Sequence, residues 1–144
     1  RKILKSYYLS EHLINKLLVI CVVYSALLIW ITCNINPDNK ELRRLLFILG
    51  NSFTHLKLMA LPGYQDLEFS SISLQHLIYR MEDLMLRESD LIFLLNGRLI
   101  MDALGISSSP AVGSLLKKAR DYWFADPTLG TDDIIKFLKK DLTI

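Results

Sequence analysis

The chain has 144 residues, of which 51% are hydrophobic and 22% charged, for a formal net charge of +2. That size makes one domain or part of a larger protein, and the composition excludes a disordered chain, a collagen-like chain and, with two cysteines, a disulfide scaffold. A mean hydropathy of +0.30 is high for a soluble domain, so a membrane segment has to be weighed.

The charge is uneven. Residues 1–57 carry eight Lys/Arg against three acids, residues 58–96 two against six, and residues 97–144 seven against six. A basic bias at one end permits an anionic partner without demanding one. The sequence opens Arg1-Lys2-Ile3 with no Met, as a fragment or processed product would. No small-residue cleavage site follows the apolar run, so an ordinary signal peptide is not expected.

Ser10 with Glu11 behind it reads as a helix start, and the first helix is expected over Glu11 to Cys33. No residue from Leu17 to Pro37 is charged. Its most apolar part, Leu17 to Cys33, is interrupted by Tyr24, Ser25 and Thr32 and sits at the short edge of what spans a bilayer, which takes about 20 residues. A central helix buried on all sides is the favoured reading and a membrane span the alternative. Cys21 and Cys33 are separated by about 18 Å of helix, beyond disulfide reach. They are expected as buried, reduced thiols, which places the protein in the cytoplasm or an organelle matrix.

Asn36-Pro37 is expected to cap and restart the chain. Leu42, Leu45, Leu46 and Leu49 then repeat at i, i+3, i+4, i+7, ending at a left-handed Gly50. A short helix over Phe53 to Ala60 stops at a Leu61-Pro62-Gly63 turn. Ser71 or Ser73 caps a helix striped with Leu74, Leu77, Ile78, Met81 and Met85, a pattern more typical of core than of a groove. Leu91 to Leu95 reads equally as helix end or extended segment.

The last third is the best punctuated. Gly97 to Leu104 is a short helix closed by Gly105. Ser109 caps, and Pro110 opens, a helix running to about Phe124, with Val112, Leu115, Leu116, Ala119 and Trp123 on one face. Thr131 caps a last helix with Asp132 and Asp133 in its first turn. Ile134, Ile135 and Leu138 point inward, and Lys136, Lys139 and Lys140 outward. No strand-period segment and no internal repeat occurs. The fold expected is all-α, a multi-helix bundle-like body ending in short helices.

Catalytic chemistry is missing from the pattern. His12, His55 and His76 are scattered, and no zinc spacing, phosphate-binding glycine loop, nucleophile elbow or Asp-x-Asp pair occurs. Glu82-Asp83 and Asp132-Asp133 are neighbours, which point apart on a helix. No catalytic centre, metal site or cofactor is expected in the chain itself.

One surface stands out. Gly113 costs its helix about 1 kcal/mol relative to Ala. Its reason is either tight packing against a neighbouring helix or room for a phosphate near a helix N-terminus. At 100° per residue Gly113, Lys117 and Arg120 share a face, a quarter-turn from the core stripe. Such a ridge holds nucleic-acid phosphates without reading bases. Of the aromatics, Trp123 falls on the core stripe and Tyr122 is open to either role.

Asn96-Gly97-Arg98-Leu99-Ile100, then Leu104-Gly105-Ile106-Ser107-Ser108-Ser109-Pro110, then Val112-Gly113-Ser114-Leu115-Leu116, with Thr131 to Lys140 behind them, resembles the C-terminal part of tRNA nucleotidyltransferases (CCA-adding enzymes) and the related bacterial poly(A) polymerases. The likeness covers residues 96–140. It divides the chain into a body-like region, 1–95, and a tail-like region, 96–144. In that family a head carries nucleotidyl transfer, using Mg2+ with ATP and CTP, a neck reads the incoming nucleotide, and helical body and tail hold the tRNA. This chain departs from the whole enzyme: no Asp-x-Asp follows Gly113-Ser114, and the neck's signature is absent. The resemblance implies the RNA-holding portion, gripping the tRNA acceptor arm while a separate head of the same parent adds nucleotides. Family position makes Arg98, Gly113, Lys117 and Arg120 the contact candidates, followed by Lys118, Lys139 and Lys140. The competing expectations are a helical protein-interaction domain, betrayed by an exposed apolar patch on Leu17 to Cys33, and a membrane-anchored helical protein, the less favoured of the two.

Overall fold

The computed structural model describes residues 10–60 and 73–142, and every regular element among them is helical. In chain order these are α1 (Glu11–Thr32), α2 (Asn39–Leu49), a 3-10 turn (Gly50–Ser52), α3 (Phe53–Ala60), α4 (Leu74–Arg87), α5 (Gly97–Leu104), α6 (Pro110–Ala125) and α7 (Thr131–Leu142). The all-α architecture is therefore the fold. The expected turn at Leu61-Pro62-Gly63 and the alternative cap Ser71 lie outside the described residues.

Local chemistry sets most helix ends. Ser10, Ser73 and Asn96 each accept a hydrogen bond from the backbone N–H three residues on, which satisfies a donor the helix leaves free. Gly105, left-handed at φ 66°, closes α5. Leu91 to Leu95 is not helical. Three ends differ from expectation. The cap of α2 is Asp38, whose carboxylate accepts from the Glu41 N–H at 2.9 Å. The expected pair Asn36-Pro37 is instead claimed by α4: Arg80 donates to Asn36 Oδ1 and to the Pro37 carbonyl, each at 2.8 Å. Gly50 has a positive φ of 50° but a ψ of −124°, so it leads into the 3-10 turn rather than a left-handed stop. At α7, Thr131 is the first helical residue, and the preceding Gly130 carbonyl accepts the first bond, from Ile134 N–H.

Two apolar clusters form the interior. The first joins α1 to α4 and encloses Val23, Leu27, Leu42, Leu56, Leu77 and Met81. The second gathers Leu95, Ile100, Leu115, Ala119, Ile134 and Leu138 from the segment before α5 and from α5 to α7. Burying each such aliphatic side chain contributes about 1.5–3 kcal/mol. The α4 stripe turns slightly from its expected register, so that Leu84 is buried and Met85 exposed. Along α6, Val112, Leu115 and Ala119 are buried, as their spacing requires, and Trp123 lies half-buried, edge-on to Phe93.

The clusters meet where α2 lies against α6. Arg43 of α2 holds this junction. Its Nη2 donates to Glu88 at the end of α4 (2.8 Å), and its Nη1 donates to the Phe124 carbonyl in the last turn of α6 (2.8 Å). One guanidinium thus neutralises a half-buried carboxylate and satisfies one of the orphan carbonyls at a helix end.

The first helix departs most from expectation. Only Ile20, Val23, Leu27 and Ile31, one stripe of α1, are buried. The opposite stripe, Ile14, Leu18, Val22 and Ile29, is exposed. Cys21 and Cys33 are likewise exposed free thiols rather than buried ones. The reason is one-sided support: α2, α3 and α4 all pack on the same face of α1. An unbroken apolar run carries no periodicity to reveal that, because either face is greasy enough to be the inner one.

Candidate nucleic-acid interface

The ridge proposed on α6 is built from its fourth, eighth and eleventh residues. Ser109 occupies the N-cap position, but its side chain makes no capping bond. The first turn is therefore free of side-chain caps, and Pro110 and Ala111 are exposed. Gly113 is exposed, and a Cβ built on it would meet nothing within 4 Å. Among the described residues nothing packs tightly on this glycine, and the approach to its backbone is open.

The expected contact residues do not sit alike. Lys117 is exposed and has no ion-pair or hydrogen-bond partner among the described residues. Arg120 is half-buried, with its guanidinium carbon 4.8 Å from the Phe47 ring centroid. Its Nε is enclosed and has no acceptor. Lys117 and Arg120 line one cleft, so they face the same side. Arg98 is exposed at the start of α5. That start abuts the first turn of α6, since a Cβ on Gly97 would come within 3.3 Å of Val112 Cγ1. Lys118 points elsewhere and is paired with Asp141 at 2.6 Å. Lys139 and Lys140 are exposed on α7 and engaged by neighbours. Tyr122, undecided in sequence, stacks on Phe137 with ring centroids 3.9 Å apart, which commits its face to the protein.

The cleft holding Lys117 and Arg120 has a volume of about 690 Å³ and lies between α2 and α6. Its other walls are Arg44, Phe47, Ile48, Asp121 and Phe124. Arg44 is shared between Glu41 at 2.9 Å and Asp121 at 3.4 Å. Sequence reasoning missed Arg44, Phe47 and Ile48. The signal available was Phe47 and Ile48 lying between the leucines of the α2 stripe, two large apolar residues on the outward side of an amphipathic helix. With Arg44 held by the Glu41 and Asp121 carboxylates, Lys117 and Arg120, which have no ion-pair partner among the described residues, leave the cleft electropositive.

The site can hold anions and flat apolar groups. The described residues contain no group of three His, Cys, Asp or Glu able to hold a metal ion. Comparison with protein-family models, with curated proteins and with solved structures finds no match.

Proposed function

We propose that this chain is an RNA-holding helical module, the portion of a tRNA nucleotidyltransferase-like protein that grips the acceptor arm while a separate head works on the 3′ end. The observation that carries the reading is the open face of α6. An uncapped first turn, a glycine with free space over it and an unpartnered Lys117 follow one another along a single side. Backbone N–H groups and the helix dipole favour a phosphate at the tip, and Lys117 and Arg120 continue the positive surface. Double-helical RNA suits such a surface, since proteins hold it by shape and backbone rather than by reading its deep groove. Arg98, beside the same first turn, extends the track.

The experiment is tRNA binding followed by fluorescence anisotropy as salt is raised from about 50 to 200 mM. The wild-type affinity is expected to fall steeply. Replacing Lys117→Glu together with Arg120→Gln is expected to weaken binding by about tenfold or more and to flatten the salt slope by about two. Lys118→Glu, on a lysine already paired elsewhere, is expected to leave it nearly unchanged. Undiminished tRNA affinity in the double variant, with its helical circular dichroism intact, overturns the proposal.

The outer stripe of α1 favours a second reading, a helical protein-interaction domain. This helix has the length and composition to cross a membrane, yet only 22% of its apolar window is buried. Ser25 and Thr32 spend their hydroxyls on the helix's own carbonyls, at 2.7 and 2.8 Å, so they add little polarity to it. Association through that stripe would persist in high salt, where the phosphate grip would not.

A further inference from the structure

The cleft between α2 and α6 has more chemistry than a phosphate grip uses. A backbone phosphate needs only the cations. Yet Phe47 and Ile48 leave 48% and 46% of their surface exposed at the rim of the same cleft. Arg120 lines it with its guanidinium carbon 4.8 Å from the Phe47 ring centroid, so cation and aromatic ring sit side by side in one wall. A volume of about 690 Å³ accommodates a small molecule. The complement to this set is a ligand with one compact anionic group and one flat apolar face. Asp121 adds a third requirement. Its ion pair with Arg44 is long, at 3.4 Å, and the residue lines the cleft, which leaves it acceptor capacity for an N–H group.

We infer that this cleft is a nucleotide pocket: Lys117 and Arg120 take the phosphate of a nucleoside monophosphate unit, and Phe47 and Ile48 take its base. Flat bases stack on aromatic rings and guanidinium planes. Asp121 favours a base with an exocyclic amino group over one without. The inference shares Lys117 and Arg120 with the RNA-holding reading but rests on the cleft's own walls. The unit is either a free nucleotide or an unpaired nucleotide of a bound RNA.

The test uses the intact chain and amide chemical-shift titrations with AMP, UMP and inorganic phosphate. AMP is expected to shift the amides of residues 44–48 and 117–124, and to bind more tightly than UMP or phosphate. Phe47→Leu keeps an apolar side chain but removes the ring. It is expected to lower AMP affinity at least about fivefold, in line with the worth of base stacking, while leaving phosphate affinity alone. AMP that binds no better than phosphate, or equally well to Phe47→Leu, overturns the inference. Two RNA hairpins, one fully paired and one with a single bulged adenosine, then identify the source. Preference for the bulge assigns the cleft to bound RNA, and equal affinity with AMP binding intact assigns it to a free nucleotide. If AMP fails while tRNA binding still depends on Lys117, the pocket falls and the RNA-holding reading stands. If AMP binds while tRNA does not, the reverse holds.

Discussion

Helices α1 and α6 are built alike and finished differently. Each packs one stripe into the interior and leaves another side open. On α1 the outward side is Ile14, Leu18, Val22 and Ile29, without charge from Leu17 onward. On α6 it is Gly113, Lys117 and the approach to Arg120, charged and interrupted by a glycine. The difference shows that burial of one face does not determine what the other face is for. Apolar area associates in a way that salt does not weaken, whereas phosphate contacts weaken as counterions compete. The two helices therefore predict opposite responses to the same perturbations.

The largest expected effect tests whether α1 is a structural helix at all. Leu27 is fully enclosed, and Leu27→Ala is expected to cost about 3 kcal/mol in chemical denaturation, from lost burial and the cavity left behind. Val22, 63% exposed on the opposite stripe, is expected to tolerate Val22→Ser within about 0.5 kcal/mol. Equal costs at the two positions would mean that the outward stripe is covered in solution. That outcome would strengthen the interaction reading and break the contrast with α6.

Gly113→Ala gives a smaller and opposite change. With open space over the site and no positive φ, alanine is expected to stabilise the chain by up to about 1 kcal/mol through helix propensity. If a phosphate approaches the backbone there, the same methyl group lowers tRNA affinity. A rise in stability with a fall in binding is the expected combination. A rise in stability with unchanged binding would leave Gly113 without a role in the ridge and shift the contact to Lys117 and the cleft.

Some of this was legible in the sequence. The ends of α5 and the start of α6 are written in residues that act locally: Asn96 as cap, Gly105 as left-handed stop, Pro110 as first helical residue. The shared face of Gly113, Lys117 and Arg120 followed from helix geometry alone. What could not be read depends on partners far along the chain. Pro37 looks like a helix opener until Arg80, 43 positions away, takes its carbonyl. The exposure of α1 needs knowledge of which face α2, α3 and α4 choose. The cleft needs Arg44 and Phe47 to meet Arg120, a pairing set by the α2–α6 junction and by Arg43, whose reach to Glu88 and Phe124 no spacing rule contains.

The finest distinction between the two helices is their response to acid. From Leu17 onward the outward stripe of α1 carries no charged residue. The end of α6 does. Asp126 follows its last turn, and its Oδ1 accepts from both the Thr128 hydroxyl and the Thr128 N–H. The Thr128 side-chain bond, then its backbone bond, hold the Asp126 carboxyl below its ordinary value of 3.8, with Arg43 adding to the effect. A carboxyl depressed on folding contributes stability that is complete above the unfolded value and lost as pH falls through the folded one. The turn that leads from α6 to α7 is therefore expected to loosen only below about pH 4. A carboxyl-resolved NMR titration should place the Asp126 midpoint under 3.8, and Thr128→Val should raise it. A midpoint at or above that value would show that the turn does not hold the carboxylate.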